Sequence, residues 1–316
     1  MAAQAENMTV AVVGLGLMGS SIATNFLIAG HRVIGLSPVP EEFAHAASRI
    51  EIHLEACQEL DLVNEKGGNF GVRMCITQNY TDLQPCDLVL ECVVEDLKIK
   101  SEVIESIEKN VSSQCIIASN TSAIPITTLQ ESVKIPERFL GLHWAEPAYG
   151  TRFLEVICGA QTDIRIAEKI QLLGVHWGKE PILVKKDIRG FVTNRLMYAV
   201  YREGLHILEQ GDADLEALDK AFRYDTGSWI TLMGIFQRMD YLGIAHFASL
   251  AERTFGQLSN SQKVPEVMKN LVREKGRGIR DQKGMYPYSE KEAQKWKGSF
   301  ETFSKDIYKL ISEMNG

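Results

Sequence analysis

A histidine and a glutamate stand twelve positions apart in two apolar runs. His143 ends the run Phe139–His143, and Glu155 lies inside the run Leu154–Ile157. A carboxylate inside an apolar strand is costly to bury without a partner, and the histidine one strand away is the natural partner. Because an imidazole accepts and returns a proton near neutral pH, this pair could perform acid–base chemistry. The alternative is a core histidine that only satisfies its own hydrogen bonds.

A glycine-rich turn lies near the start of the chain, between the apolar runs Thr9–Val13 and Ile22–Ala29. Strand, glycine turn and helix, in that order, form the Rossmann unit that holds a dinucleotide pyrophosphate. The glycines permit a tight turn, close approach of backbone N–H groups to the phosphates, and packing of helix on strand. The phosphates lie at the helix N-terminus, where the macrodipole favours an anion. The sequence therefore predicts a dinucleotide site built from Gly14, Gly16, Leu17, Met18 and Gly19.

The next apolar run, Arg32–Leu36, leads into Ser37. At this position a dinucleotide fold usually has an Asp or Glu that binds the adenine ribose of NAD. Ser37 could donate to the 2′-phosphate of NADP, but no arginine follows it, as a phosphate site would require. Glu41 and Glu42 come several residues later and would repel a doubly charged phosphate. We therefore predict NAD, with NADP left open and Ser37 as a cofactor-binding residue.

Short apolar runs alternate with amphipathic segments in the first half of the chain, which is typical of a parallel α/β sheet. A long helical pattern runs from Pro40 to Asn64. The predicted strands are Thr9–Val13, Arg32–Leu36, Leu88–Cys92, Ile116–Ala118, Phe139–His143 and Leu154–Ile157.

The composition changes near Asp187–Gly190, and the rest of the chain is mostly compatible with helix. We predict helices over Arg195–Glu209, Leu215–Phe222, Gly234–Phe255 and Val264–Lys275, and a closing amphipathic helix within Ser289–Gly316. The predicted fold class is α/β, a Rossmann-type doubly wound sheet followed by a mostly α-helical C-terminal domain. The predicted domains are a dinucleotide-binding domain at 1–187, a helical substrate and dimerisation domain at 188–289, and a C-terminal helical extension at 290–316.

Length and composition exclude several classes of function. The 316 residues exceed the prior of about 150 for one domain, and the net charge of −7 argues against nucleic acid and anionic membranes as partners. No run of about 18 apolar residues and no secretory signal pattern is present. The six cysteines show neither CxxC pairs nor zinc-site spacing. We expect buried free thiols, no metal site and a cytoplasmic protein.

Seven motifs in order make the chain similar to the L-3-hydroxyacyl-CoA dehydrogenase family over about residues 8–288. Relatives in that family include 3-hydroxybutyryl-CoA dehydrogenases and the free-acid enzymes L-gulonate and carnitine dehydrogenase. The motifs are the glycine turn, Glu91-Cys-Val-Val-Glu95-Asp-Leu-Lys-Ile-Lys100, Ser119-Asn-Thr-Ser122, His143 with Glu155, Gly190-Phe-Val-Thr-Asn194-Arg, Met239-Asp-Tyr-Leu-Gly243 and Gly284-Met-Tyr-Pro-Tyr288.

The resemblance implies roles for individual residues. His143 would be the general base that removes the hydroxyl proton while hydride leaves for the nicotinamide, and Glu155 would orient it. Ser122 and Asn194 would hydrogen-bond the reacting oxygen. Glu95 and Lys100 would lie near the nicotinamide end of the cofactor, and Asn120 would be a further cofactor-binding residue. The resemblance also implies a small-molecule substrate, a homodimer through the helical domain, and fatty acid metabolism.

Three departures from the family pattern concern the substrate. The family's His-Phe-Phe-Asn-Pro is His143-Trp-Ala-Glu146-Pro here, which replaces an amide donor by a carboxylate and favours a cation or a hydroxyl-rich substrate. The family's lysine-rich hairpin for coenzyme A (CoA) is replaced by a segment with no lysine before Lys66. Trp229 precedes Leu232–Phe236, where the family has Pro-Met-Gly-Pro-Phe. The acidic residues of the hairpin segment are Glu51, Glu55, Glu59, Asp61 and Glu65, with Arg49 as the nearby cation.

Three functions therefore stay open. The first is an oxidoreductase that interconverts an L-3-hydroxyacyl group, CoA-linked or free, and its 3-oxo form with NAD(H). The second is a dehydrogenase of a free β-hydroxy acid or polyol acid, in which Glu146 and the acidic helix replace the recognition of CoA. The third is a non-catalytic NAD(H)-binding relative, like lens crystallins of this family. The joint presence of Ser122, His143, Glu155 and Asn194 argues against the third.

Overall fold

The computed structural model describes residues 7–63 and 70–314 of the chain. It consists of two compact units, Met1–Thr193 and Asn194–Gly316. No helix in the described part is both long and apolar enough to cross a bilayer.

The first unit is built on an eight-stranded sheet with strand order β3-β2-β1-β4-β5-β6-β7-β8. Strands β1 to β6 are parallel, β7 is antiparallel to β6, and β8 is parallel to β7. The order 3-2-1-4-5-6 is that of a dinucleotide-binding sheet, which confirms the predicted fold class. The strands are β1 Thr9–Val13, β2 Arg32–Leu36, β3 Met74–Thr77, β4 Leu88–Glu91, β5 Ile116–Ser119, β6 Phe139–Trp144, β7 Phe153–Cys158 and β8 Glu180–Val184.

The six predicted strands are present, each with ends within one residue of the prediction. Strands β3 and β8, which are the two edge strands, were not predicted. Both are short and partly exposed, and β8 contains Pro181, so neither has the continuous apolar pattern of a central strand.

Helices cover both faces of the sheet. Residues of β1 alternate between two apolar cores, with Val10 and Val12 in one and Ala11 and Val13 in the other. This burial on both faces is why the central strands are uniformly apolar. The helices of the first unit are α1 Leu17–Ile28, α2 Pro40–Glu59, α3 Phe70–Arg73, α4 Leu97–Asn110, α5 Ile126–Gln130 and α6 Ile164–His176.

Helix α2 is shorter than predicted. It ends at Glu59, and Asp61 has a φ of 56°, a left-handed conformation that an α-helix cannot continue through. The predicted end at Asn64 lies outside the described residues, as do Glu65 and Lys66.

The second unit is helical. The predicted single helix Gly234–Phe255 is wrong, because Gly243 has a φ of 101° and separates two helices. The closing helix is present and begins at Glu290, whereas the last two residues lie outside the described range. The helices are α7 Thr193–Gln210, α8 Leu215–Tyr224, α9 Ile235–Leu242, α10 Ile244–Thr254, α11 Glu266–Arg273 and α12 Glu290–Met314.

All six cysteines are free thiols. Four are buried, as expected, namely Cys57, Cys86, Cys115 and Cys158. Cys92 is half-buried, and Cys75 is exposed because it lies on the edge strand β3.

Candidate active site

The predicted histidine–glutamate pair forms where β6 and β7 run side by side. Their antiparallel register places His143 directly opposite Glu155. Nδ1 of His143 lies 2.8 Å from Oε2 of Glu155, which is fully buried. The imidazole also packs between the rings of Phe153 and Phe191, at centroid distances of 5.5 and 5.7 Å. The ring is therefore held on three sides.

The second carboxylate oxygen of Glu155 accepts hydrogen bonds from backbone groups at the start of α7. The N–H groups of Val192 and Thr193 lie 3.1 and 3.0 Å from Oε1. Burial raises the pKa of Glu155, but the hydrogen bonds from His143, Thr193 and Val192 outweigh it and hold the pKa below its ordinary value. Glu155 is thus an anion that accepts the Nδ1 proton of His143, which leaves Nε2 as the nitrogen for proton transfer.

A second buried carboxylate lies at the end of β4. Nζ of Lys100 lies 2.8 Å from Oε1 of Glu91, and the Ser119 hydroxyl donates to Oε2 at 2.6 Å. The side chains of Lys100 and Glu91 are 1% and 0% exposed. Burial raises the pKa of Glu91, and the attraction of Lys100 and the hydrogen bonds offset this only in part. We call Glu91, Lys100 and Ser119 the Glu91 cluster.

The Glu91 cluster continues into the loop that carries Ser122. Nζ of Lys100 lies 3.4 Å from Oε2 of Glu95. Oε1 of Glu95 accepts from the backbone N–H groups of Ser122 and Ala123 at 3.1 and 3.0 Å. Burial raises the pKa of Glu95, but the Thr121 hydroxyl and Lys100 more than offset it, and the net shift is downward. These contacts fix the backbone of the Ser122 loop, and Ser122 itself is exposed.

Asn120 connects this region to the strand of His143. Its Oδ1 accepts from the backbone N–H of Trp144 at 3.0 Å, and its own N–H donates to the carbonyl of Glu91 at 2.8 Å. The ends of β4, β5 and β6 are thereby joined. The roles of Asn120, Glu95 and Lys100 towards the cofactor stay predictions.

The glycine turn has the shape that a pyrophosphate requires. A Cβ on Gly14, whose φ is +96°, would lie 2.9 Å from the backbone carbonyl of Cys92, and one on Gly19 would lie 1.8 Å from the carbonyl oxygen of Gly14. A Cβ on Gly16 would meet Oε1 of Glu42 at an ordinary 3.4 Å. The first and third glycines are therefore required by packing, and the second leaves its backbone open to a ligand.

Helix α1 starts directly after this turn. Leu17 is its first residue and is 52% exposed, whereas Met18 packs against the core. No side chain caps the helix and no acidic residue occupies its first turn. The backbone N–H groups of the first turn of α1 are thus available to bind the phosphates of a dinucleotide.

Ser37 is buried at the end of β2. Its hydroxyl donates to the carbonyl of Val39 at 3.1 Å, within the turn that leads to α2. Its role towards the ribose stays a prediction.

The residues predicted to contact substrate lie in different places. Glu146 is exposed in the loop after β6. Asn194 and Trp229 belong to the second unit, where Asn194 is the second residue of α7. The guanidinium of Arg238 lies 5.0 Å from the centre of the Trp229 ring.

Three polar residues in the first unit make contacts that were not predicted from the sequence. Arg49 donates to the carbonyl of Leu15 at 2.9 Å, and His53 lies 3.3 Å from the Ser20 hydroxyl. Lys179 is buried, and burial lowers its pKa to about 7. Its Nζ donates to the carbonyls of Ala148 and Thr151. A lysine between a glycine and an edge strand has no sequence signal that distinguishes it from a surface residue.

Two protein-family models match almost the whole chain. The first, "3-hydroxyacyl-CoA dehydrogenase, NAD binding domain", matches residues 9–188. The second, "3-hydroxyacyl-CoA dehydrogenase, C-terminal domain", matches residues 190–288.

Curated relatives include enzymes with and without CoA in their names. The 5-formyl-3-hydroxy-2-methylpyridine 4-carboxylate 5-dehydrogenase of Mesorhizobium japonicum is 32% identical over 89% of this chain and 90% of its own length. The mitochondrial hydroxyacyl-coenzyme A dehydrogenase of Sus scrofa is 32% identical over 74% of this chain and 76% of its own. The L-carnitine dehydrogenase of Oceanobacillus iheyensis is 31% identical over the same shares.

Solved structures show the same two groups. A crystal structure of the pyridine carboxylate dehydrogenase, described as an NAD+-dependent dismutase, superposes with a TM-score of 0.91 at 28% identity, over 97% of this chain and 99% of that one. The (S)-3-hydroxybutyryl-CoA dehydrogenase of Ralstonia eutropha superposes with a TM-score of 0.75 at 26% identity, over 90% of this chain and 100% of that one.

Proposed function

The chain belongs to the 3-hydroxyacyl-CoA dehydrogenase family and is an NAD-dependent oxidoreductase acting on CH–OH groups, and from this premise we propose that His143 is its general base and that its substrate is a small hydroxy acid without CoA. The contact of 2.8 Å between His143 and the buried Glu155 carries the first part of the proposal. The second part rests on the charges of α2.

The proton step follows from the geometry of the pair. The substrate O–H bond breaks towards Nε2 of His143, and the C–H electron pair on the same carbon leaves as hydride, so that a C=O bond forms. Nicotinamide supplies the hydride acceptor when NAD is bound. Glu155 stabilises the imidazolium that results, and solvent receives the proton afterwards. In the reverse direction His143 donates the proton to the new alkoxide oxygen.

Ser122 and Asn194 are proposed to hydrogen-bond the reacting oxygen. Preorganised hydrogen-bond donors stabilise the negative charge that develops on the oxygen, because they need not reorient during the reaction. The hydrogen bonds from Ser122 and Ala123 to Glu95 support this role for Ser122, because they restrain its backbone.

The surface of α2 supports a substrate without CoA. Arg49 is its one Lys or Arg residue, and its Nη1 donates to the carbonyl of Leu15. The other charged groups at this end of the helix are exposed carboxylates, each of which repels a nucleotide phosphate by about 1 kcal/mol or less near the surface. These residues are Glu51, Glu55, Glu59 and Asp61. The relatives that act on a pyridine carboxylate and on carnitine support the same substrate class.

Glu146 and Trp229 are proposed to shape the substrate site. An exposed carboxylate at position 146 favours a substrate with hydroxyl or cationic groups there. Trp229 with the Arg238 guanidinium 5.0 Å from its ring offers an aromatic surface and a positive charge to a carboxylate. The alternative is a CoA-linked substrate, with a place in fatty acid metabolism. The relatives with CoA in their names favour it.

A substrate panel tests the proposal. NADH oxidation is measured with acetoacetyl-CoA, free 3-oxo acids, oxidised sugar acids and formyl-substituted aromatic carboxylates. We expect kcat/KM for at least one free acid to exceed that for acetoacetyl-CoA by about tenfold or more. A preference for acetoacetyl-CoA would contradict the CoA-free substrate and leave the base unaffected, whereas inactivity on all four classes would contradict both.

The variant Glu146→Asn, which restores the family amide, belongs to the same test. It is expected to raise the ratio of kcat/KM for acetoacetyl-CoA to that for the free acid. Glu131→Gln changes an exposed carboxylate after α5 and serves as the control. An unchanged ratio in Glu146→Asn would remove Glu146 from the substrate site.

We also propose a homodimer formed through the helical unit. None of the described side chains from Asn194 onward is buried, although this unit contains many large apolar residues. Among them Tyr198, Phe236 and Tyr241 are 69%, 72% and 73% exposed. A surface of this kind is typical of an obligate interface, and sedimentation of the intact chain measures the oligomer directly.

A further inference from the structure

The strand that usually supplies an acidic residue to the ribose of NAD ends here in Ser37. The Ser37 hydroxyl already donates to the carbonyl of Val39 inside a buried turn. A carboxylate is nevertheless present at the glycine turn, because Oε1 of Glu42 lies 3.4 Å from the position that a Cβ on Gly16 would occupy. Glu42 belongs to the first turn of α2, which begins three residues after Ser37.

The position of Glu42 is fixed by the way α2 lies along the glycine turn. Glu42, Arg49 and His53 are seven and four residues apart and so share one face of the helix. Arg49 donates to the carbonyl of Leu15 at 2.9 Å, and Nε2 of His53 lies 3.3 Å from the Ser20 hydroxyl. On the same helix Ala46 and Ile50 are buried.

Two side-chain contacts, from Arg49 and His53, therefore hold this face against the turn and the start of α1. The carboxylate of Glu42 lies on the same face, nearer the start of the helix, and is half-buried. Glu41, its neighbour in the sequence, lies on another face and is exposed.

We infer that Glu42 binds the ribose hydroxyls of the adenosine half of NAD and excludes the 2′-phosphate of NADP. In a Rossmann unit the ribose of a bound dinucleotide would lie between the pyrophosphate, which the backbone at Gly16 can approach, and the end of β2. A carboxylate offers two acceptor oxygens to the two hydroxyls of the diol. The same carboxylate repels a phosphate dianion, and the first arginine after Ser37, Arg49, donates to the carbonyl of Leu15.

This assignment gives α2 the role that a strand end performs elsewhere. It is independent of the substrate, because the adenosine half of the cofactor takes no part in the transfer of hydride. It also differs from a purely structural role for Glu42, in which the carboxylate would only cap the N-terminus of α1. Removal of a cap would lower stability and leave the preference between the two cofactors unchanged.

Direct binding of reduced cofactors to the full chain separates these roles. Dissociation constants for NADH and NADPH are measured by fluorescence titration for the unmodified protein, Glu42→Gln, Glu41→Gln and Ser37→Ala. The unmodified protein is expected to bind NADH more tightly. In Glu42→Gln we expect the ratio of the NADPH to the NADH dissociation constant to fall by about tenfold or more, a change of about 1.4 kcal/mol in preference.

Glu41→Gln removes the same charge one residue away and is expected to keep the ratio within about twofold. Thermal unfolding of each variant establishes that it is folded. A folded Glu42→Gln variant with an unchanged ratio would overturn the inference. So would an equal shift in Glu41→Gln, or a shift in Ser37→Ala alone, which would return the role to the strand end.

Discussion

Glu155 and Glu91 are both fully buried glutamates at the same edge of one sheet, yet their pKa values are shifted in opposite directions. Glu155 faces a histidine and two backbone N–H groups, and its pKa is lowered despite burial. Glu91 faces a lysine, a hydroxyl and one backbone N–H group, and burial raises its pKa.

The difference lies in what each carboxylate holds in place. Glu155 orients a ring that has a second nitrogen available for chemistry. Glu91 holds the ammonium of Lys100, which also donates to the carbonyl of Val93 and lies near Glu95. We therefore expect changes at the first site to reduce turnover and changes at the second to reduce stability.

The largest expected effect is on turnover at the Glu155 site. His143→Gln keeps a side chain that can donate to Glu155 but removes the base, so kcat should fall by about 10²–10⁴-fold. The affinity for NADH, measured by fluorescence titration, should change by less than about twofold, because the pyrophosphate turn is separate. His45→Gln, at an exposed position on α2, is the control. Loss of NADH binding in His143→Gln would contradict the assignment.

The next effect is on stability at the Glu91 cluster. Lys100→Met leaves a buried carboxylate without its cation, and the free energy of unfolding should fall by about 3–5 kcal/mol. Urea denaturation measures it. Lys98→Met is a matched control on the same helix, because Lys98 is 85% exposed and its ion pair with Glu102 is 4.0 Å long, and it should change stability by about 0.5 kcal/mol or less. Equal effects of the two variants would refute the difference between the sites.

The smallest expected effect is on the pH dependence of stability. The folded-state pKa of Glu155 is lowered, so its contribution is present above the unfolded pKa and is lost as pH falls. The folded-state pKa of Glu91 is raised, so stability falls as pH rises from the unfolded value towards the folded one. Urea denaturation between pH 4 and pH 7 should thus show Glu155→Gln losing stability relative to the unmodified protein as pH rises, and Glu91→Gln gaining it. Slopes of the same sign would disprove the opposite shifts.

Local constraints made much of the fold predictable. The glycine turn could be predicted from a stretch of six residues, because two of its glycines leave no room for a side chain. The central strands are buried on both faces and therefore carry a continuous apolar pattern. The pairing of His143 with Glu155 could be predicted because a buried carboxylate needs a partner and the chain offers one histidine in the neighbouring strand.

The features that were not predicted depend on tertiary contacts, which the spacing of residues in the sequence does not reveal. The role of Lys100 towards the cofactor stays a prediction, and its buried pairing with Glu91, nine residues earlier in the chain, was not predicted. Glu42 comes several residues after β2, and it is the packing of α2 along the glycine turn that brings its carboxylate to Gly16. Strands β3 and β8 were missed because an edge strand is partly exposed and its pattern is weak.

The exposed helices of the second unit have a consequence for how the protein responds to dilution. A unit whose described side chains are all at least partly exposed gains little apolar burial from its own chain. In the proposed homodimer the second copy buries the apolar surface that the unit leaves exposed. Folding and association are then coupled in a single equilibrium. The midpoint of thermal unfolding should then rise with protein concentration, by mass action alone.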